Sequence, residues 1–351
     1  MGTGDDSLSG SLFADTLAGG LGNDTYLVRS SDTVVVELPD GGIDEVQIAF
    51  SYVLPANVER LVLLGSDAID GTGGAGSELL TGNDANNRLT GGDGSDTLAG
   101  GGGNDTVFAG DGNDVLIGSA GSDRLSGDAG DDLFSSVYTD PALRDRDTLL
   151  GGAGDDTFQL GYQLPASIDG GEGYDRLVLE VGYSDISTIG ILAVETLQSQ
   201  WDVPIVTTAR QLMQFSTLMV SYDTARVSLT GMGGYANLDA LLLDGVAADV
   251  DASAATSGSS LRTGSGNDTI TGSALPDTMW GGAGHDIYRV QNSDDRIFEN
   301  PDEGGDTVEA SVNFTLADNI ENLELSGTGL RGNGNAGANV MRGRSADIVL
   351  N

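Results

Sequence analysis

The 351-residue sequence contains no cysteine and no lysine, only one histidine, and few aromatic residues. Without cysteine there is no disulfide framework and no thiolate metal site or nucleophile. Because His285 is the only histidine, histidine-cluster zinc sites are excluded and little room is left for a serine-histidine triad. There is no apolar run of 18 residues and no basic, apolar leader after Met1. The sequence therefore predicts neither a transmembrane helix nor a Sec signal peptide.

Positive charge is also scarce, since 54 acidic residues face 15 arginines and the net charge is −39. This balance excludes nucleic acid as a natural partner, because almost nothing could neutralise phosphates, and it argues against an anionic membrane surface. The acids are 42 aspartates and 12 glutamates, and there are 55 glycines. Such a composition can indicate disorder, but a hydrophobic content of 38% is high for a disordered chain. Whether the chain is disordered or folded must therefore be judged from the arrangement of its glycines and aspartates.

The chain has a nine-residue period that follows the template G-G-x-G-x-D-x-U-x, in which U is a large apolar residue. The period is continuous from Gly82 to Ser135. Strict matches begin at Gly19, Gly91, Gly100, Gly151, Gly170 and Gly281; matches with one deviation begin at Met1, Ala109, Gly118, Gly127 and Thr263; looser units begin at Gly10, Gly82 and Gly272. Eleven strict or near matches in register exclude chance and make a flexible linker an unlikely alternative.

The chemistry of one unit favours calcium. Glycine at positions 1, 2 and 4 permits positive φ and lets backbone carbonyls turn toward one point, and aspartate at position 6 adds a hard carboxylate. Positions 7 to 9 predict a three-residue strand with its central side chain inward, as at Leu98, Val107, Leu116 and Leu125. Oxygen ligands on a flexible turn suit Ca²⁺ better than Zn²⁺ or a thiophilic metal, and Mg²⁺ is the weaker candidate because it prefers a strict octahedron.

The repeats are expected to need this ion in order to fold. Ordering nine residues costs more backbone entropy than the burial of one apolar side chain returns. An ion that binds only the folded state would supply the difference. We therefore expect the repeat blocks to be largely unfolded without calcium.

These units resemble the RTX, or haemolysin-type, calcium-binding nonapeptides of bacterial exoproteins. The resemblance implies an all-β, right-handed parallel β-roll or β-solenoid in which two nonapeptides form one turn, so that each ion lies between loops 18 residues apart. It pairs Asp96 with Asp114, Asp105 with Asp123, Asp114 with Asp132, Asp6 with Asp24, and Asp268 with Asp286, while Asp156 and Asp175 are 19 apart.

The implied metal ligands are the position-6 aspartates and the glycines at positions 1 and 4. They are Asp6, Gly22, Asp24, Gly91, Gly94, Asp96, Gly100, Gly103, Asp105, Gly112, Asp114, Gly118, Gly121, Asp123, Gly127, Gly130, Asp132, Gly151, Gly154, Asp156, Gly170, Gly173, Asp175, Gly266, Asp268, Gly281, Gly284 and Asp286.

Three degenerate loops are not expected to bind. Asn87 replaces the aspartate at the head of the central array, which argues against a site shared with Asp105. Phe13 and Leu275 replace the third glycine of their units, so Asp15 and Asp277 are not predicted as ligands.

The predicted organisation comprises RTX repeats at 1–27, β-solenoid rungs at 28–81, the main RTX array at 82–178, a calcium-poor segment at 179–262, RTX repeats at 263–289 and further rungs at 290–351. Residues 20–82 recur at 282–343. Strands are predicted there from the inward alternation of Val46, Ile48, Phe50, Tyr52 and Leu54, and of Val308, Ala310, Val312, Phe314 and Leu316. Strands are also predicted at 203–206, 218–222 and 227–229, with a helical turn or two at 208–215. Segment 179–262 is either a wider calcium-free solenoid or a small independent β-domain. Both ends of the chain stop inside repeat patterns, which suggests a longer parent protein.

The leading functional prediction is a calcium-binding structural module without enzymatic activity, secreted or at the cell surface. The resemblance implies type I secretion as an unfolded chain that folds in external calcium, and 39 like charges would keep such a chain extended inside the cell. One alternative is a polysaccharide-binding accessory module or the C-terminal part of a secreted epimerase, lyase, protease or lipase. Another is a surface-layer or adhesin segment. The expected partners are calcium and an anionic polysaccharide or cell surface, with no nucleic acid and no membrane insertion.

Other candidate residues carry weaker signals. Neither an HExxH motif nor a GxSxG nucleophile elbow is present. His285 occupies a variable loop position and is expected to be solvated. Trp280, and likewise Trp201, is more readily explained by packing than by sugar stacking. Asp145 and Asp147 lie in an imperfect repeat that begins at Ala142, where a catalytic acid pair is a minor alternative.

Overall fold

The computed structural model describes residues 2–135, 146–161, 165–180, 185–200, 204–220 and 223–351. The fold is all-β, with parallel strands stacked as a β-solenoid, which confirms the predicted fold class. The chain divides into two compact units: Met1–Glu180 with Ile189–Val194, and Val181–Thr188 with Glu195–Asn351. No helix in the described residues is long and apolar enough to span a membrane.

The strands of the first unit form two long parallel stacks, β1-β3-β5-β7-β9-β11-β13-β15-β17-β19 and β6-β8-β10-β12-β14-β16-β18-β20, and a short pair β2-β4. Their bounds are β1 Ser7–Ser9, β2 Thr16–Leu17, β3 Thr25–Val28, β4 Val34–Val35, β5 Glu45–Ile48, β6 Tyr52–Val53, β7 Arg60–Leu63, β8 Gly71–Thr72, β9 Leu79–Thr81, β10 Arg88–Asp93, β11 Thr97–Gly102, β12 Thr106–Asp111, β13 Val115–Ala120, β14 Arg124–Ala129, β15 Leu133–Ser135, β16 Thr148–Ala153, β17 Thr157–Leu160, β18 Ser167–Glu172, β19 Arg176–Leu179 and β20 Gly190–Leu192.

Successive strands of the central array alternate between the two stacks, so two nonapeptides complete one turn. Leu98 pairs with Leu116 in one stack, and Leu89 pairs with Val107 in the other, each 18 residues on. The apolar residue at position 8 of each unit points inward, and Leu98, Val107 and Leu116 are completely buried. These ladders of apolar side chains form the core between the stacks. They fix the spacing of successive loops along the stack.

The central strands are longer than the three residues predicted. Strands β10 to β14 each cover six residues, because backbone pairing continues from position 7 through position 3 of the next unit, as in the pairing of Gly102 with Ala120. The side-chain pattern marks only positions 7 to 9, so it could not reveal this extension. The loops between the strands are consequently short and held on both sides by paired backbone.

The second unit contains the parallel stacks β22-β24-β26-β28-β30-β32-β34-β36, β25-β27-β29-β31 and β33-β35-β37, together with the pair β21-β23. Its elements are β21 Thr196–Ser199, β22 Ile205–Thr207, α1 Ala209–Leu212, β23 Thr217–Val220, β24 Thr224–Leu229, β25 Tyr235–Asn237, β26 Ala247–Asp251, β27 Ser260–Ser265, β28 Thr269–Thr271, β29 Thr278–Ala283, β30 Ile287–Val290, β31 Arg296–Phe298, β32 Thr307–Ala310, β33 Phe314–Thr315, β34 Asn322–Leu325, β35 Arg331–Asn333, β36 Val340–Gly343 and β37 Val349–Leu350.

Described strands from segment 179–262 are parallel, with wider rungs than the nonapeptide turns. Thr196 pairs with Thr217, and Thr224 with Ala247. The helical turn α1 begins at the N-cap Thr208, whose side chain accepts the N–H of Gln211, and it buries Leu212. The predicted strand positions Val203 and Tyr222 lie outside the described residues. The solenoid alternative for this segment therefore agrees with the strands that are described.

The internal duplication is visible in each unit. Strands β3, β5 and β7 of the first unit correspond to β30, β32 and β34 of the second, and each set pairs in parallel order. The predicted inward alternation holds for Val46, Ile48 and Leu54, which are buried, as are Val308 and Ala310 of the second copy. Phe50, Tyr52 and Val312 are only half-buried, because β5 ends at Ile48 and β32 ends at Ala310. These longer rungs continue the apolar core beyond the nonapeptide loops.

Candidate calcium loops

A ladder of buried aspartates follows the loops of each array. The backbone N–H of each position-6 residue donates to Oδ1 of the aspartate in the loop above. This contact joins Asp96 to Asp114 at 2.6 Å, and Asp114 to Asp132 at 2.9 Å. The register puts each predicted pair into this contact: Asp6 with Asp24, Asp105 with Asp123, Asp156 with Asp175 and Asp268 with Asp286 join the two already named.

The second carboxylate oxygen of these aspartates is buried as well. Among the described residues, Oδ2 has no hydrogen-bond partner in Asp24, Asp44, Asp96, Asp105, Asp114, Asp132, Asp156, Asp268 and Asp286. Asp96 and Asp114 are each 1% exposed, and Asp156 is fully buried. A buried, ionised oxygen without a partner is costly, so these oxygens indicate the positions of a positive ligand.

Burial also shifts the acidity of these groups. Desolvation, opposed by the hydrogen bond from the neighbouring backbone N–H, raises the pKa of Asp96, Asp132 and Asp156 to about 7. The same cause raises the pKa of Asp105 to about 6. The metal-free loops therefore resist ionisation near neutral pH, and a bound cation would reverse this cost.

Glycine at position 1 leaves a space that two oxygens border. The point that a Cβ on Gly91 would occupy lies 2.2 Å from Asp96 Oδ2 and 2.4 Å from the carbonyl oxygen of Ala109. At Gly151 the corresponding distances are 2.1 Å to Asp156 Oδ2 and 2.2 Å to the carbonyl oxygen of Gly170. These distances leave no room for a side chain at position 1. They also show that a carboxylate oxygen and a carbonyl oxygen from consecutive turns come close together beside the glycine.

Position 4 requires glycine because the backbone there is left-handed and crowded. All ten predicted position-4 glycines have positive φ, as with Gly94 at 110° and Gly112 at 132°. A Cβ on either residue would lie 1.9 Å from the carbonyl oxygen of the equivalent glycine one turn below. A side chain would therefore separate the turns and displace these carbonyls.

Two kinds of loop recur in the arrays, and we term them open and closed. In an open loop the position-2 residue has positive φ, as at Gly92, Gly110 and even Ser119. The position-6 Oδ2 then accepts no backbone hydrogen bond within its own loop, as at Asp96. In a closed loop the position-2 residue does not have positive φ, and its backbone N–H donates to the position-6 side chain. Backbone N–H groups thereby occupy the place where the open loop would receive an ion.

The three degenerate loops are closed. The N–H and the hydroxyl of Ser273 donate to Asp277 Oδ2 at 2.5 and 3.0 Å. Ser11 does the same for Asp15, which lowers the pKa of that exposed carboxyl. The N–H of Asn83 donates to Asn87 Oδ1 at 2.8 Å. In each of these loops the position-2 residue donates to the position-6 side chain, which remains predicted not to be a ligand.

Two groups of acidic residues were missed by the template. Asp147 continues the ladder, since its Oδ1 accepts the N–H of Asp123 at 2.9 Å. Its sequence signal was the imperfect repeat beginning at Ala142. Asp145, the other residue of the acid pair considered there, lies outside the described residues. The long rungs add Asp44 and Asp306, which accept the N–H groups of Asp24 and Asp286. Each lies 20 residues after its partner instead of 18, because the rung between them is two residues longer, so a search for aspartates at a spacing of 18 misses both.

The remaining candidates lie on the outer surface. His285 is exposed, as expected, and its Nδ1 accepts the N–H of Gly305. The ring of Trp280 stacks on Phe298 with centroids 5.2 Å apart, which fits the packing role expected of it. Trp201 lies outside the described residues.

Comparison with protein families now identifies the loops. A family model described as "RTX calcium-binding nonapeptide repeat (4 copies)" matches residues 2–29, 72–107, 108–136, 142–161 and 262–297. These segments are RTX calcium-binding nonapeptide repeats. The RTX repeats support a calcium-binding module, and such repeats are typical of secreted proteins. The aspartate ladders and their unpartnered oxygens are consistent with that assignment.

The chain is also similar to two curated proteins from Rhizobium meliloti (strain 1021). It is 38% identical over 99 residues to the endo-1,3-1,4-beta-glycanase ExsH, covering 28% of this chain and 21% of that protein. It is 37% identical over 92 residues to the endo-1,3-1,4-beta-glycanase EglC, covering 26% of this chain and 20% of that protein. The chain thus matches about a fifth of the length of these relatives.

These relatives correct one prediction. The sequence was interpreted as that of a protein with no enzymatic role, and this is wrong because both relatives are named as glycanases, which suggests an enzyme-associated protein. The interpretation relied on the lack of familiar hydrolase motifs. Such motifs are a weak guide here, since calcium repeats and catalytic residues can lie in different parts of one protein.

Proposed function

We propose that the open loops bind Ca²⁺ and that the chain folds on binding it. The supporting observation is that a buried, unpartnered Oδ2 comes close to a carbonyl oxygen beside the position-1 glycines Gly91, Gly100, Gly127 and Gly151. The proposed carboxylate ligands are Asp24, Asp96, Asp105, Asp114, Asp123, Asp132, Asp156, Asp175, Asp268 and Asp286. The position-4 glycines keep the facing carbonyls in place. Asp6, which is exposed, contributes at the N-terminal edge of the first array.

Folding follows from the charge of the ladder. Each open loop brings a carboxylate into a buried position next to the carboxylates of the turns above and below. Without an ion these groups must either protonate or remain charged in a poorly solvated place, and both states oppose folding near neutral pH. Calcium bound only to the folded chain removes this cost by linkage.

Calorimetric titration of the full chain with calcium at pH 7.5 tests the proposal. We expect several ions per chain, with the strand signal in circular dichroism appearing in parallel with binding. Magnesium at the same concentration should produce less folding, because it requires a stricter octahedron than stacked loops provide. Failure to bind calcium would refute the proposal.

We further infer that the chain belongs to a secreted protein associated with glycanase activity and leaves the cell unfolded. Three facts support this: the RTX repeats, the similarity to two named glycanases, and a net charge of −39 that opposes compaction where calcium is scarce. Export can be tested by expressing the chain within its parent reading frame with and without a type I system. The protein should reach the medium only when that system is present; calcium-independent retention in both strains would contradict the inference.

A glycan-binding role is the second candidate, favoured by one surface feature. A cavity of about 270 Å³ lies beside the stacked rings of Trp280 and Phe298 and is bordered by Arg262 and Glu303. Phe298 is 47% exposed. An exposed aromatic surface next to convergent polar groups suits a sugar ring and its hydroxyls.

Affinity electrophoresis in gels that contain a mixed-linkage β-glucan or alginate tests this role. Phe298→Ala should abolish any retardation of the calcium-loaded chain. The matched control is Phe13→Ala, which removes another exposed phenylalanine, 78% accessible, from a loop of the first unit. Equal retardation of both variants, or none of the wild type, would exclude a glycan site at this cavity.

A further inference from the structure

Three carboxylates meet at the point where the first RTX loops give way to the long rungs. They belong to Asp24, Glu37 and Asp44, and each offers a carboxylate oxygen that lies within 4.8 Å of the other two. Asp24 is the position-6 residue of its unit, but Glu37 and Asp44 lie beyond the segment 2–29 matched by the RTX model. The cluster therefore contains ligands that the nonapeptide template does not supply.

All three side chains are buried, and two have an oxygen without a partner. Asp24 is 1% exposed, Asp44 is fully buried, and Glu37 is 7% exposed. Within the part of the chain that the structure describes, neither Asp24 Oδ2 nor Asp44 Oδ2 accepts a hydrogen bond. Three carboxylates at this separation repel one another strongly, and no cationic side chain is present in the group to compensate. The arrangement calls for a cation.

A tyrosine fixes the glutamate of the cluster. The hydroxyl of Tyr26 donates to Glu37 Oε1 and accepts the N–H of Gly19 at 2.7 Å. The point that a Cβ on Gly19 would occupy lies 2.5 Å from this hydroxyl and also next to Asp24 Oδ2. The unpartnered oxygen of Asp24 is thus directed into the same space as the hydroxyl that holds Glu37. The geometry is that of an organised site.

The register explains why a glutamate appears there. In the central array the residue 18 positions after Gly91 is Ala109, and its carbonyl oxygen faces Asp96. The residue 18 positions after Gly19 is Glu37, which brings a side-chain carboxylate to the equivalent turn. Asp44 then takes the next place in the ladder, accepting the N–H of Asp24 at 2.8 Å. The carboxylate of Glu37 thus lies at a position where the central array has the backbone carbonyl of Ala109.

The second unit repeats the arrangement with Asp286, Glu299 and Asp306, whose ligand atoms again lie within 4.8 Å of one another. The hydroxyl of Tyr288 donates to Glu299 Oε1 and accepts the N–H of Gly281 at 2.6 Å. Among the described residues, Asp286 Oδ2 and Glu299 Oε2 have no hydrogen-bond partner. The same set of groups at two separate places argues against an accident of packing.

We propose that Asp24, Glu37 and Asp44, and likewise Asp286, Glu299 and Asp306, form two three-carboxylate Ca²⁺ sites that end the nonapeptide arrays. Carboxylate oxygens that all lie within 4.8 Å of one another can share one Ca²⁺, whose bonds are about 2.3–2.6 Å long. Three formal negative charges also give these sites more charge than a loop that uses one carboxylate and carbonyls, so they fill at lower calcium than the array. The inference extends the proposed calcium binding to residues outside the repeats.

Glu299→Gln tests the second site with little structural disturbance. Because Glu299 Oε2 has no hydrogen-bond partner among the described residues, an amide nitrogen can replace it without facing another donor, and Oε1 still accepts the Tyr288 hydroxyl. The matched control is Glu309→Gln, which removes a glutamate from a neighbouring exposed ion pair with Arg289. Bound calcium is counted by equilibrium dialysis of the full chain, and circular dichroism in calcium confirms the fold of each variant.

We expect Glu299→Gln to bind one ion fewer than the wild type and to lose the earliest phase of the calcium titration, while Glu309→Gln binds as the wild type does. Terbium, which replaces calcium, should show less tyrosine-sensitised emission in Glu299→Gln. If Glu299→Gln fails to fold, Glu37→Gln in the first unit decides by the same count. A wild type that binds no calcium would refute the proposed function, whereas a wild type that binds calcium no better than a folded Glu299→Gln would refute these two sites alone.

Discussion

The substitution Asp114→Asn separates the two tasks of a ladder aspartate. Asp114 Oδ1 accepts the N–H of Asp96 at 2.6 Å, and the asparagine carbonyl can keep this bond. Oδ2 is buried without a partner in the described structure, and the asparagine places an uncharged amide there. The variant therefore retains the structural contact and removes the charge proposed to bind calcium.

The expected effect depends on calcium. With calcium about a hundredfold above its dissociation constant, losing one bound ion lowers the free energy of unfolding by about 2.7 kcal/mol. Without calcium, the same change removes a buried carboxylate that desolvation already makes harder to ionise, since burial raises the pKa of Asp114. The metal-free variant should then be as stable as the wild type, or more stable by about 1 kcal/mol.

Asp277→Asn provides the matched control in a closed loop. Asp277 Oδ2 accepts two hydrogen bonds from Ser273, and its Oδ1 accepts the N–H of Ser259 at 2.6 Å. An amide nitrogen there faces an N–H donor, so we expect a loss of about 1–3 kcal/mol with or without calcium.

Guanidinium unfolding in millimolar calcium gives the first comparison. The second comparison is the folded fraction of variant and wild type in EGTA, measured in sucrose because sucrose favours the compact state. If Asp114→Asn destabilises the chain equally in both conditions, the carboxylate acts as a hydrogen-bond acceptor and the calcium argument fails.

Three further outcomes follow from the same geometry. Because burial raises the folded-state pKa of Asp132 and Asp156 to about 7 from 3.8, the metal-free folded chain holds protons that the unfolded chain releases between about pH 4 and pH 7. Its stability in EGTA should fall as the pH rises through this window, and circular dichroism showing more structure at pH 7.5 than at pH 4.5 would contradict this. Gly94 has a φ of 110°, and a Cβ there would lie 1.9 Å from a carbonyl oxygen, so Gly94→Ala should weaken calcium-induced folding in a calcium titration. The control Gly4→Ala adds a Cβ that meets no atom within 4 Å and should fold as the wild type does. Equal effects of the two substitutions would refute the crowding argument. Leu116→Ala should lower the free energy of unfolding in calcium by about 2–5 kcal/mol in guanidinium titrations, because Leu116 is fully buried in the ladder between the stacks, and a loss below about 1 kcal/mol would contradict this role.

Much of the array could be predicted because its period leaves little freedom. Once two nine-residue units make a turn, Asp96 must lie next to Asp114, and Leu98 next to Leu116, and the structure shows both. The period fails where the chain departs from it. Asp44 follows Asp24 by 20 residues, so a search at 18 misses it although it occupies the same place in the ladder.

Other features required the backbone conformation. The difference between open and closed loops lies in the φ of position 2, where Ser119 takes positive φ and Ser273 does not. Residue type alone therefore does not separate the two kinds of loop. What distinguishes Ser273 is its pair of hydrogen bonds to Asp277, in a unit whose third glycine is replaced by Leu275. A template that scores glycines singly cannot detect that coupling.

The central claim is that calcium, held by the aspartate ladders, allows this solenoid to fold. Far-UV circular dichroism of the full chain at pH 7.5, recorded in EGTA and during titration with calcium to several millimolar, tests it most directly. The account predicts a coil-like spectrum in EGTA and a cooperative rise of the strand signal with calcium. A strand spectrum in EGTA that calcium leaves unchanged would contradict it.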